Sequence, residues 1–135
     1  MSKGNTTEND YVKFIFNNTA MPSYGSNLYL SLHTADPGEA GDQTTNEATY
    51  TSYARIAVSR DSSGWVVSNN QSSNNNLLQF PQCTGGSNTI THIAIGTASS
   101  GAGQILYSGA LNASLNVSNL IQPQFSAAAL QVTED

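Results

Sequence analysis

The sequence predicts an all-β protein, a jelly-roll-like two-sheet antiparallel sandwich with one N-terminal α-helix. About eight or nine short segments alternate apolar and polar residues, and turn signals separate them at the spacing of a β-sandwich. Charged side chains make up only 10% of the 135 residues, and the abundant Ser, Thr, Asn and Gln suit strands and turns. A chain of this length buries a core without disulfides or a structural metal. We therefore expect a single β-sandwich domain over residues 1–135.

One segment near the N-terminus, residues 7–19, has helical periodicity. Thr7 is placed to cap this helix, and Asn17-Asn18 is placed to end it. Lys13 is the only charged residue in the body of the segment, so we expect its apolar face to pack against the strands or against a partner subunit. That face consists of Val12, Ile15, Phe16 and Thr19 at helical spacing, and Tyr11 and Phe14 widen it.

Two alternating strands frame the most distinctive stretch of the chain. In the first, residues 27–33, three leucines at alternate positions share one face. In the second, residues 53–60, alternate positions again carry aliphatic side chains. Further strands are predicted at residues 65–67, 77–80, 90–96, 104–110, 113–117, 122–126 and 128–133, with a polar loop at 68–76.

The long connection between the first two strands, residues 34–52, contains no lysine and is acidic. It includes the strong turn signal Asp36-Pro37-Gly38. A loop of this length in a small domain is usually a binding or contact loop, so we expect it to meet a basic patch on a partner. Ligation of a hard cation is the alternative, although the calcium-loop motif is not followed. The acidic residues are Asp36, Glu39, Asp42 and Glu47.

Charge and hydropathy argue against nucleic acid and membrane partners. The net charge is −5, and the only cations are Lys3, Lys13, Arg55 and Arg60, whereas phosphate binding depends on Lys and Arg. No window approaches the 18 or more apolar residues of a membrane span. Residues 1–5 lack the apolar region of a signal peptide, so we expect synthesis in a cytoplasm.

No arrangement of residues predicts catalysis or a metal site. His33 lies near Asp36 and His92 lies in a strand, but no spacing connects them to a nucleophile and no G-x-S-x-G elbow is present. Cys83 is the only cysteine, which excludes an intramolecular disulfide and a paired-thiol metal site. We therefore expect a protein that is not an enzyme and holds no cofactor and no metal.

Aromatic side chains supply further candidates for partner contact. Tyr50 and Trp65 are two of them, because aromatic residues are favoured at the centres of interfaces. Packing inside the sandwich is the alternative for both. With the helix and the loop, the candidate partner contacts are Tyr11, Phe14, Asp36, Glu39, Asp42, Glu47, Tyr50 and Trp65.

Several segments together resemble a known family. They are LYLSLHTADPGEAG at 28–41, YAR at 53–55, FPQCTGG at 80–86, IGTA at 95–98 and LYSGAL at 106–111. The chain resembles small tailed-phage virion structural proteins, which are often labelled tail fibre proteins. In size, polarity and β-richness it is also similar to the jelly-roll cement or decoration proteins of phage capsids. The resemblance implies a virion component and supplies no catalytic residues.

The leading hypothesis from the sequence is a capsid cement protein on the virion surface. Such a protein would bind the outer face of the head and bridge copies of the major capsid protein, after synthesis in the bacterial host cytoplasm. A homo-oligomer, either a dimer or a trimer, is expected, because both fit a closed point group. The alternative is a tail or tail-fibre component, with binding of host glycans through exposed Trp65 or tyrosine rings as a further option.

Overall fold

Ten β-strands and one α-helix form the protein, which a computed structural model describes over residues 1–135. The helix α1 covers Asn5–Phe16. The strands are β1 (Ser2–Lys3), β2 (Asn27–His33), β3 (Ile56–Ser59), β4 (Trp65–Ser68), β5 (Gln71–Asn74), β6 (Leu78–Gln79), β7 (Asn88–Gly96), β8 (Ile105–Val117), β9 (Gln124–Phe125) and β10 (Gln131–Thr133). The predicted all-β class with one N-terminal helix is confirmed.

The strands pair in antiparallel fashion in three sheets. The largest has five strands in the order β1-β8-β7-β2-β3. A second has three strands in the order β10-β5-β4, and a two-stranded sheet joins β6 to β9. The second layer of the sandwich is therefore divided into two small sheets, where the sequence predicts one.

The hydrophobic core lies between the large sheet and the two smaller ones. Leu30 of β2 and Ile93 of β7 are at most 1% exposed, and they share one cluster with Trp65 of β4 and Leu78 of β6. Phe80 is also fully buried. The centre of its ring lies 6.2 Å from the centre of the Phe125 ring, and the two rings meet edge to face. Because each buried large side chain contributes about 1.5–3 kcal/mol, this cluster accounts for the association of the layers.

The helix begins and ends earlier than the sequence predicts. Its cap is Gly4, where a Cβ atom would lie 2.4 Å from the Ile105 carbonyl oxygen, so no larger residue fits. Thr7 is inside the first turns, where its hydroxyl donates to that same carbonyl at 3.0 Å. The helix ends at Phe16 because Asn18 adopts a left-handed φ of 52°. The predicted span 7–19 is thus shifted to 5–16.

A single long strand replaces two predicted ones in the large sheet. β8 runs through residues 111 and 112, where the sequence analysis places a break between strands 104–110 and 113–117. The irregularity lies in β8 itself, close to the predicted break: Ile90 pairs with Leu115 and His92 with Ala110, so residues 111–114 of β8 lie opposite Thr91 alone. A bulge of this kind bends a strand without ending it, which keeps β8 continuous.

One strand, β5, lies inside the stretch that the sequence predicts to be a polar loop. It pairs with β4 from Trp65 opposite Asn74 to Ser68 opposite Gln71. Asn69, in the two-residue turn between them, adopts a left-handed φ of 54°, which Asn tolerates. Backbone pairing therefore forms this strand even though its sequence has no apolar alternation.

Asn74 at the end of β5 fastens the C-terminal segment to the sandwich. It is 1% exposed, and its side-chain amide donates to the carbonyls of Asn76 at 2.7 Å and Ser126 at 2.9 Å. Its side-chain oxygen accepts from the Leu130 N–H at 2.9 Å. Both N–H donors and the oxygen of the buried amide are thus used on chain segments that lack regular pairing.

We expect Asn74→Ala to lower the free energy of unfolding by about 2–4 kcal/mol, because three buried backbone groups lose their partner. Urea denaturation with a constant m-value measures this change. The control is Asn119→Ala, at an exposed residue without a side-chain hydrogen bond, and it should stay within about 0.5 kcal/mol of the wild type. Equal effects of the two substitutions would contradict the role of Asn74.

Candidate interaction surface

The second half of α1 leaves five large apolar side chains in solvent. The exposed fractions are 40% for Tyr11, 55% for Val12, 53% for Phe14, 59% for Ile15 and 78% for Phe16. All residues from 11 to 20 are exposed, and Thr7 is the one buried residue of the helix. We call these five side chains the helix patch. The expected packing of this face against the strands is therefore not present in the folded chain.

The first turn of α1 is nevertheless held firmly on the sandwich. The N–H of Gly4 donates to the Leu106 carbonyl at 3.2 Å, and the N–H of Asn5 donates to the Glu39 carbonyl at 2.8 Å. The Gln104 side chain donates to the Thr7 hydroxyl at 3.0 Å. Because the helix is fixed at one end and open along its apolar side, the helix patch has a defined position on the molecule.

A cavity of about 740 Å³, which we call the groove, opens beside the helix patch. Tyr11 of α1 contributes to its lining and thus belongs to both features. The other apolar lining residues come from both layers of the sandwich and include Leu28, Trp65, Ile95, Leu106 and Val132. The groove is therefore the place where the core opens toward solvent, next to an exposed apolar helix.

A polar cluster joins the two ends of the chain at the groove. Glu134 forms an ion pair with Lys3 and accepts a hydrogen bond from the Tyr107 hydroxyl. The Lys3 ammonium also lies 5.2 Å from the centre of the Tyr11 ring, within cation–π range. The Lys3 hydrogen bond holds the pKa of the Glu134 carboxyl below its usual value, and Tyr107 adds to the effect. These contacts fix the position of Tyr11 relative to the C-terminal strand.

The long loop at 34–52 lies against the edge of the large sheet. The N–H of Ala48 donates to the Leu32 carbonyl at 2.8 Å. Nδ1 of His33 lies 2.7 Å from the Thr45 carbonyl oxygen and Nε2 lies 2.8 Å from the Ser31 hydroxyl. Because a carbonyl only accepts, Nδ1 carries a proton and donates to Thr45; in the neutral ring, the serine hydroxyl then donates to Nε2. His33 therefore has a structural role in holding the loop.

Gln43 belongs to this loop and is not singled out by the sequence analysis. Its side chain fills the space beneath the loop. It is completely buried, its amide donates to the Tyr29 carbonyl at 3.2 Å, and its side-chain oxygen accepts from the Ala98 N–H at 3.0 Å. A Cβ atom at Gly96 would lie 2.2 Å from the Gln43 side-chain carbon. Glycine at that position is thus required for the amide to fit.

Glu47 is engaged in an internal ion pair. Its carboxylate receives Arg55 Nε at 2.7 Å and the terminal Arg55 nitrogen Nη2 at 2.9 Å, in a bidentate arrangement. The Tyr53 hydroxyl donates to the same carboxylate at 2.8 Å. The Arg55 side chain is only 3% exposed. Glu47 was a candidate partner contact, but its hydrogen-bonding capacity is directed into the protein.

The other three acidic candidates lie nearer the surface. Asp36 is exposed and accepts from the Gly38 N–H at 2.8 Å, and Glu39 is also exposed. Asp42 accepts from the Thr44 hydroxyl and N–H, and these bonds hold the pKa of its carboxyl below the usual value. No three His, Cys, Asp or Glu side chains come together as a possible metal site.

Tyr50 and Trp65 lie in the core, which is the alternative that the sequence left open for them. Tyr50 is 3% exposed and donates its hydroxyl to the Pro81 carbonyl at 2.8 Å. Trp65 is 8% exposed and belongs to the hydrophobic cluster. Tyr50 is therefore closed to direct contact with a partner, and Trp65 reaches solvent only through the lining of the groove. Of the candidate set, Tyr11 and Phe14 are the residues that belong to an exposed apolar surface.

Comparison with known families shows where the chain belongs. The model of the family described as podophage GP4 fiber I protein gp80 matches residues 2–133. The chain belongs to this family. No protein with a curated description matches the chain. The resemblance to small tailed-phage virion proteins labelled as tail fibre is thereby confirmed, and the protein is a phage virion structural protein. Its helix is too short to cross a membrane.

We expect the free energy of unfolding to decrease as the pH is lowered through the range where His33 becomes charged. Burial lowers the pKa of His33 below the ordinary 6.5, against the opposing effect of the Thr45 hydrogen bond. The unfolded chain therefore binds a proton at higher pH than the folded chain does. The stabilisation is complete above pH 6.5 and is lost as the pH falls below it, by at most about 1.4 kcal/mol per pH unit.

Urea denaturation at pH values from about 8 to 5 measures this dependence, since that range lies above the region where carboxylates titrate. His33→Gln should lower stability throughout and flatten the slope between neutral and acid pH. Asn119→Ala, at an exposed site without a titrating side chain, is the control and should keep the slope. A slope that is unchanged in the His33 variant would show that another group is responsible.

Proposed function

We propose that this protein is a structural, non-enzymatic component of a podophage fibre, and that the helix patch is a surface by which it assembles into that fibre. The family supports the fibre part of this proposal, because its description names a fiber protein. The structure supports the assembly part through the exposed apolar side of α1.

The observation that carries the proposal is the concentration of exposed apolar residues. Eleven large apolar side chains are exposed in the whole chain, and five of them lie within residues 11–16. Exposed apolar residues scattered singly need no explanation, whereas a contiguous patch marks an interaction site. This patch stands on a helix whose first turn is fixed to the sandwich, so it presents a shaped surface to a partner.

The fibre role fits the family better than the capsid cement role that the sequence suggested first. The cement hypothesis uses either the N-terminal helix or the acidic loop at 34–52 as the element that reaches out to the head. In the structure that loop hydrogen-bonds back to the sheet through Thr45 and Ala48, and Glu47 is paired with Arg55. Trp65, the ring considered for stacking on glycans, is only 8% exposed and reaches solvent through the groove alone.

Labelling of intact virions tests the proposal. Antibody fragments raised against the purified protein, visualised on purified particles by electron microscopy, should mark fibres and leave the head lattice unlabelled. Particles lacking the protein supply the control for unspecific labelling. A regular pattern of label over the head would favour the cement role and overturn the fibre assignment.

We expect a variant carrying Phe14→Ser and Phe16→Ser to fold normally but to be depleted from assembled particles, because both side chains are more than half exposed. Quantitative mass spectrometry of purified virions measures its incorporation. Leu120→Ser is the matched control, since Leu120 is 69% exposed and lies outside the helix. Normal incorporation of the double variant would remove the helix patch from the proposed role.

A further inference from the structure

No further inference is drawn: the strongest candidate, the helix patch together with the groove that opens beside it where the core of the sandwich meets solvent, is an unpartnered apolar surface, and nothing in the structure shows what covers it.

Discussion

The buried guanidinium of Arg55 is the contact on which the arrangement of the loops depends. It pairs with Glu47 in the long loop and donates to the carbonyls of Ala98 at 2.9 Å and Gly101 at 2.6 Å in the loop between β7 and β8. One side chain thus holds two irregular segments to the end of the large sheet. Removing one partner of a buried pair typically costs about 3–5 kcal/mol, because the other charge is left without compensation.

The same principle extends to the uncharged side chains of this protein. Gln43 and Asn74 are both essentially inaccessible. Gln43 joins the Tyr29 carbonyl of β2 to the Ala98 N–H in a loop, and Asn74 satisfies backbone groups in segments without regular pairing. Unpaired backbone groups in the interior are costly, so long irregular segments remain ordered only where side chains replace the missing strand. A composition rich in amides and hydroxyls and poor in charge supplies these partners.

The sequence predicts the parts of the fold that depend on apolar periodicity. The alternation in β2 and β7 indicates which side chains enter the core, and Leu30 and Ile93 are buried as that pattern requires. It does not reveal β5, because Gln71–Asn74 form a strand through backbone pairing alone. Nor does it reveal the partners of Arg55, one of which is 46 residues away, since hydrogen bonds between distant segments leave no local pattern.

The interaction surface is likewise only partly predictable from the sequence. The apolar residues of α1 are evident in the sequence, but whether they face the sandwich or solvent depends on how the first turn docks. Gly4 and Thr7 dock it on Ile105 with the remaining turns directed away, so the sandwich completes its core without the side chains of residues 11–16. Four of the five side chains of the helix patch are more than half exposed, and exposing apolar groups to water is unfavourable. Covering of the helix in the assembly proposed above would remove this cost.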